Sequence, residues 1–350
     1  MKLLIYFVEP AKYSLRILEE AFTKTDSVEF YFRKNTSEAA LNKSGNVHLP
    51  TARFRKSLRA HFLSDVIISN GFMDRFFLTH FFLSLLCFKK VPICIDSDGF
   101  YNAAHESQSA IKRTLVKFIF SREFVFGFAA GYKKHREYFT KRGMMADRVY
   151  TLPIQSLDYS HACSKDESIF TIAYVGRLIA RKRTEDVIEA FKNNFNDGRK
   201  CRLLIIGDGP EKQNLLQKSR GSENIRFTGK VDHEEVKKIY SRINVLVLAS
   251  HAEPWGLVVN EAMSAAIPVI ASDEVGAAFD LIENRNTGMI YPVGNVKALG
   301  LCMLEYYTNN ELYRKHSDNA QTLLQTDWSI DTYRERFLGA IESIRRQMSS

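Results

Sequence analysis

Two glutamates with seven residues between them frame a turn suited to an anion: Ser250-His251-Ala252-Glu253-Pro254-Trp255-Gly256-Leu257-Val258-Val259-Asn260-Glu261-Ala262-Met263. The apolar, β-branched run Ile243 to Ala249 just before it reads as a buried strand. Small and apolar residues recur at helical spacing from Leu257 to Ala266, and Pro268 stops that helix ahead of a second strand, Val269–Ser272. The stretch is therefore a strand-to-helix crossover with Pro254 and Gly256 in its turn. At the helix start the amides of Gly256, Leu257 and Val258 would lack carbonyl partners. A helix N-terminus carries roughly half a positive elementary charge, which favours an anion there. Glu261 would lie about 7 Å further along at ~1.5 Å per residue. An anion on the amides, with a carboxylate on either side to accept from hydroxyls, describes a nucleotide-sugar site. The same residues also fit a capped crossover helix with Glu253 as a loop charge and Glu261 on a solvated face.

Further constellations follow other strands. Gly176-Arg177-Leu178-Ile179-Ala180-Arg181-Lys182 succeeds the run Phe170–Val175. Arg177 and Lys182 are placed to reach a diphosphate on the amides and to stabilise charge on a leaving nucleoside diphosphate. Gly207-Asp208-Gly209-Pro210 reads as a structural turn with proline at a helix start. It is not a G-x-G-x-x-G fingerprint, and none follows Val8, which disfavours a dinucleotide dehydrogenase. Ile95-Asp96-Ser97-Asp98-Gly99-Phe100 holds two carboxylates, with Asp98 a candidate for orienting an acceptor or stabilising positive charge on a sugar. His105 and His135 stand singly and read as surface residues.

The elements that must position these groups are two successive α/β series. Strands are expected at Lys2–Val8, Val28–Phe32, Asp65–Asn70, Val91–Asp96, Phe124–Ala130 and Val149–Ile154, with helices between them at Ser14–Phe22, Phe72–Phe88, Ser107–Phe120 and Tyr132–Arg142. The expected organisation is a first Rossmann-like domain over 1–155, a polar linker over 156–168, and a second domain over 169–328. A closing helix over 329–350 should cross back to the first domain. The 350 residues are enough for two cores. Met1 to Val8 is too short for a signal peptide, and Phe76 to Phe88 falls short of a spanning helix, so no leader or transmembrane segment is expected. The five cysteines Cys87, Cys94, Cys163, Cys201 and Cys302 have no metal-ligand spacing and read as reduced thiols of a cytoplasmic protein.

The charge is unevenly shared. Residues 1–155 hold 24 Lys and Arg against 14 Asp and Glu, and residues 156–350 hold 25 against 26. The densest pieces, Arg53–Arg59 and Lys112–Arg122, mix cations with large apolar residues, which suits an anionic membrane surface. Nucleic acid would also attract that charge, but no nucleic-acid module is recognisable. Solvated helix faces are the plain alternative.

Val175-Gly176-Arg177-Leu178…Lys182, Gly207-Asp208-Gly209-Pro210, Phe227-Thr228-Gly229-Lys230-Val231 and Glu253…Glu261 occur in the order and spacing of the retaining glycosyltransferases of family 4, which this chain resembles over most of 170–300. The resemblance implies the α/β GT-B fold, two doubly wound Rossmann-like domains facing across a cleft. It implies that Arg177 and Lys182 bind the donor diphosphate with the amides of Gly256, Leu257 and Val258. Glu253 would contact sugar hydroxyls, Glu261 the ribose, and Lys230 and Val231 the base, with Trp255 counted among the donor-binding residues. It implies a same-face transfer in which the leaving diphosphate takes the acceptor proton, without cofactor or metal, so Asp96-Ser97-Asp98 is not read as a metal motif. Relatives carry a Gly-Gly loop after the first strand, where this chain has Val8-Glu9-Pro10-Ala11-Lys12.

The expected activity is transfer from a nucleoside-diphosphate sugar, such as a UDP-sugar, to a carbohydrate acceptor. That acceptor is expected to be lipid-linked, presented at the cytoplasmic membrane face, in capsule, exopolysaccharide or lipopolysaccharide assembly. Rival classes are a nucleotide-sugar epimerase or hydrolase on the same fold and a non-catalytic subunit of a glycan-assembly complex.

Overall fold

The computed structural model describes residues 2–7, 27–32, 54–87, 89–102, 109–156, 158–160, 169–195, 200–231 and 233–349, with backbone only at 7, 27–32, 54–58 and 233–234. The expected helix Ser14–Phe22, the Val8–Lys12 loop, Arg53, His105, Cys163 and most of the 156–168 linker lie outside the described residues. The chain divides into two compact units, Met1–Gln155 with Ile330–Ser350, and Ser156–Ser329.

Unit 1 is built on a six-stranded parallel sheet: β1 (Lys2–Phe7), β2 (Ser27–Phe32), β3 (Val66–Asn70), β4 (Ile93–Ser97), β5 (Val125–Ala129) and β6 (Val149–Thr151), ordered β2-β1-β3-β4-β5-β6. Parallel register aligns whole rows of side chains. Ile5, Ile68, Cys94 and Phe126 are successive partners across the sheet, and so are Leu4, Ile67, Ile93 and Val125. The first row faces the closing helix Ile330–Ser349 through Phe337, Ala340, Ile341 and Ile344. The second faces α1 (Phe54–Leu63), α2 (Arg75–Leu86), α3 (Ala110–Phe120) and α4 (Lys134–Thr140) through residues such as Phe77, Phe81, Ile119 and Phe139. Both faces of β1, β3, β4 and β5 are covered, which is why their central residues are apolar runs instead of alternating.

Helix α2 begins at Arg75, not at Phe72, because the Asp74 carboxylate accepts the Phe77 amide at 2.8 Å and caps it. His135, expected at the surface, is fully buried on α4, and the Phe100 ring lies 6.3 Å from it. His61 and His80 bring their Nδ1 atoms to 3.1 Å between α1 and α2, and burial keeps both neutral, lowering them to about 4 and about 3.

Unit 2 repeats the plan: β7 (Phe170–Val175), β8 (Cys201–Ile206), β9 (Ile225–Gly229), β10 (Val245–Leu248), β11 (Val269–Ser272) and β12 (Gly288–Tyr291), all parallel, ordered β12-β11-β10-β7-β8-β9. Its helices are α5 (Thr184–Phe195), α6 (Lys212–Lys218), α7 (His233–Tyr240), α8 (Leu257–Ser264), α9 (Val296–Thr308) and α10 (Asn310–Gln325). Phe191 and Phe195 of α5 and Leu299 and Met303 of α9 pack over Ile172, Leu203 and Val247. Strand order runs outward in both directions from β7 and β10, so the loops leaving those two strands stand side by side at the switch point.

Three local details depart from expectation. Helix α8 stops at Ser264 because Ala266 turns left-handed (φ 54°) and the Ile267 amide returns to the Ala262 carbonyl at 2.9 Å. Residues Ala278–Ile282 form a π-helical turn that no sequence pattern announced. Within the segment read as linker, Tyr159 is buried in unit 2, its ring stacked on Tyr240 at 4.9 Å and its amide donating to Ser264 Oγ at 3.0 Å.

The closing helix should behave as part of the unit 1 core. Phe337→Ala, which removes a buried ring 6.0 Å from Phe128, is expected to cost roughly 3–5 kcal/mol in chemical unfolding. A cost under about 0.5 kcal/mol, typical of a surface position, would contradict that placement.

Candidate functional site

Adjacent pairing of β7 with β10, Ile172 opposite Val245 and Ala173 opposite Leu246, brings the 176–182 and 249–256 loops together. The first loop is held against the turn that follows β8. Gly176 donates to the Ile206 carbonyl at 3.0 Å and Leu178 to the Asp208 carbonyl at 2.9 Å. A Cβ on Gly207 would lie 1.9 Å from the Gly176 oxygen, so this backbone-on-backbone approach requires glycine there. A 3-10 turn over Ala180–Lys182 then ends at Arg183, whose guanidinium grips Asp186 on the first turn of α5.

That turn directs Lys182 at Glu253. Lys182 Nζ binds Glu253 Oε2, the two side chains being 13% and 10% exposed, and Arg181 Nη1 reaches the same oxygen at 3.4 Å. Burial lowers the Lys182 ammonium from its ordinary value, the Glu253 carboxylate opposes that shift, and Arg181 and Arg177 add to it. Arg177 is exposed, with its carbonyl accepting from Tyr174 Oη at 2.9 Å. In this structure, then, the cation expected on a diphosphate is paired with the carboxylate expected on the sugar. Arg181 is a third charged member whose side chain sequence spacing did not single out.

Glu253 is fixed by its backbone as well. Its amide donates to the Glu274 carbonyl at 3.0 Å and its carbonyl accepts from Gly276 at 2.9 Å, as an isolated parallel bridge to Val275. Gly256 follows in the left-handed region (φ 95°) and turns the chain into α8. The first α8 amides, at Leu257 and Val258, precede any intrahelical carbonyl that could pair with them.

Glu261, on α8, is neither solvated nor isolated. Tyr240 Oη donates to its Oε2 at 3.2 Å, and burial raises the carboxyl while that hydrogen bond lowers it. Val231 is half-buried and Lys230 exposed at the end of β9. Trp255 is a correction. Its ring is buried and stacked on Trp328 at 5.9 Å, and its Nε1 donates to Asn260 Oδ1 at 2.7 Å, so it supports the turn from within and offers no face to a donor.

In unit 1, Asp98 is exposed just beyond β4. Its neighbour Asp96 is the perturbed group. Burial, then the Asp98 charge, raises Asp96 to about 7, against a hydrogen bond from Asn70 that lowers it.

Residues 160–323 match the family described as Glycosyl transferases group 1. Unit 2 is a group 1 glycosyltransferase domain. Relatives of this group 1 domain include alpha-D-kanosaminyltransferase of Streptomyces kanamyceticus, 30% identical over 176 residues that make up 49% of this chain and 45% of that protein. The capsular polysaccharide biosynthesis glycosyltransferase CapM of Staphylococcus aureus is 31% identical over 152 residues, 42% of this chain and 38% of that protein. The match thus spans about half, or less, of the curated relatives' length. The crystal structure of Anabaena HepE in complex with UDP superposes with a TM-score of 0.80 at 15% identity, covering 98% of this chain and 100% of that one. Two parallel-sheet Rossmann-like units, one of them the group 1 domain, make this a GT-B fold.

The Asp96 carboxyl has a consequence for stability. Its folded value of about 7 lies above the ordinary 3.8, so the folded chain holds this proton more tightly than the unfolded one. The stability it contributes is full below about pH 4 and lost as pH rises through about 7. Asp96→Asn should flatten the fall in unit 1 stability over that window, read by chemical unfolding at about pH 5 and about pH 8. An unchanged slope would contradict the assignment.

Proposed function

We propose that the protein is a retaining glycosyltransferase that moves a sugar from a nucleoside-diphosphate sugar, a UDP-sugar first, to a carbohydrate acceptor in surface-polysaccharide assembly. The observation that carries this reading is the Lys182–Glu253 pair at the β7/β10 switch point, three residues ahead of the Gly256–Val258 amides. The names of the curated relatives and the UDP held by HepE support it.

On this reading the donor diphosphate rests on the amides of Gly256, Leu257 and Val258. Lys182 exchanges Glu253 for the diphosphate and Arg177 joins it. Glu253 then accepts from sugar hydroxyls, Glu261 from the ribose, and the backbone at Lys230 and Val231 takes the base. The bond between the anomeric carbon and the diphosphate oxygen breaks while a bond to the acceptor oxygen forms on the same face. The departing diphosphate, stabilised by the two cations, accepts the acceptor proton. No enzymic base, cofactor or metal is called upon, and Asp98 is assigned to the acceptor.

We further assign the acceptor to a lipid-linked glycan at the inner membrane face. Among the described residues no helix is long and apolar enough to cross a membrane. Helix α3 instead exposes Ile111 (83%), Leu115 and Phe118 beside Lys112, Arg113 and Lys117. Phe118 packs on Phe81, next to the exposed Phe82 of α2, and Arg122 lies over the Phe118 ring at 4.5 Å. Cations ringing exposed apolar side chains suit anionic headgroups, at about 1 kcal/mol per Lys or Arg.

Glu253→Ala and Lys182→Ala should each lose at least about a hundredfold in kcat/KM. The double variant should fold better than Glu253→Ala alone, because it does not leave the Lys182 ammonium without its carboxylate in a dry site. Turnover within about threefold of the unsubstituted chain after replacing both Arg177 and Lys182, a change under about 1 kcal/mol, would refute the site.

For the membrane reading, co-sedimentation with anionic vesicles should fall when Lys112, Arg113 and Lys117 are changed to Glu, and should weaken in high salt. Equal recovery with neutral vesicles would contradict it.

A further inference from the structure

We propose that Arg181 and Glu274 are positioning residues that together hold Ala252 in a left-handed backbone conformation and so aim the Glu253 carboxylate. This rests on the reading of Glu253 as the sugar-facing group and extends it to two residues to which the motifs assign no role.

Ala252 has φ 54°, a region in which an L side chain crowds its own carbonyl and which alanine seldom occupies. Such a conformation persists only where its surroundings over-determine it. Here they do so on both sides of one residue. The Ala252 amide donates to Glu274 Oε2 at 2.9 Å, and the Ala252 carbonyl accepts from Arg181 Nη1 at 3.2 Å. The flanking residues are tied to the same two partners. His251 donates its amide to the Arg181 carbonyl at 2.7 Å and places Nδ1 2.6 Å from Glu274 Oε2, while Glu253 donates its amide to the Glu274 carbonyl at 3.0 Å.

The three-residue segment ahead of the turn is therefore spanned between the loop after β7 and the loop after β11. A left-handed residue at 252 reverses the direction in which the next side chain leaves the backbone, which is how Glu253 comes to face Lys182. Both cationic contacts on Glu253 fall on Oε2. When Lys182 moves to a diphosphate, Arg181 can stay on Oε2 and keep the carboxylate oriented, with Oε1 directed to substrate.

The test separates positioning from donor contact. Arg181→Ala and Glu274→Ala should each lower kcat by at least about tenfold, while the dissociation constant of UDP stays within about threefold. Glu274→Gln, which keeps an acceptor for the Ala252 amide, should retain most of kcat. Ala252→Gly placed in the Glu274→Ala background should recover at least about threefold in kcat, because glycine enters the left-handed region without being held there. Denaturant unfolding supplies a readout independent of activity. Glu274→Ala should lower the midpoint, and Ala252→Gly should restore more of it in that background than it adds to the unsubstituted chain. Absence of rescue, additive midpoints, or a UDP dissociation constant that rises in step with the loss of kcat would overturn the proposal. If the unsubstituted chain neither bound UDP nor turned over any donor, the transferase reading would fall, and the midpoints alone would decide this one.

Discussion

Lys182 and Glu253 meet with little water around either, their side chains 13% and 10% exposed. Withdrawing two ions from water costs several kcal/mol each, offset only by close pairing and further hydrogen bonds. Neither partner can be left alone there, so the pair constrains its surroundings to supply a substitute whenever one of them moves. On the proposed reading a diphosphate is such a substitute for the carboxylate, and Arg181, already on Glu253 Oε2, is one for the ammonium. The cations therefore come as a cluster, in which Arg177 and Arg181 both act to lower the Lys182 ammonium.

What brings that cluster together is the strand order of unit 2. β7 and β10 are parallel neighbours in space and far apart in the chain, and the loops leaving them come side by side because the strand order reverses between them. The supports are close backbone contacts more than side-chain chemistry. Gly207 admits the Gly176 carbonyl, Gly256 turns the chain into α8, and Trp255 on Trp328 fills the space beneath the turn. The two glutamates of the motif consequently live in different environments. Glu253 is met by cations, whereas Glu261 is met by a tyrosine hydroxyl and held toward its neutral form by burial.

Unit 1 carries a different burden. Its sheet is apolar on both faces, one of them closed by the last helix of the chain, and this leaves its outer helices to present charge. The excess of cations over residues 1–155 sits partly on α3, beside Ile111, Leu115 and Phe118, which no core needs. On the proposed reading, these exposed apolar residues beside cations are the face that meets a lipid surface.

Strand positions, the crossover at Ser250–Met263 and the division into two α/β series were all legible from periodicity and turn residues, because these depend on neighbours in sequence. Arg177, Lys182, Glu253 and Glu261 could be singled out for the proposed site for the same reason: residue type and spacing survive without coordinates. Pairing was not legible. That Lys182 faces Glu253, that Arg181 and Glu274 brace Ala252, that Tyr240 holds Glu261, and that Trp255 and His135 are buried all depend on contacts across tens of residues. The left-handed turn at Ala252 is the sharpest case, since alanine gives no local signal for it. Local preference decides which elements form, but the partner of a buried charge is decided by desolvation, and only the packed structure determines where water is absent.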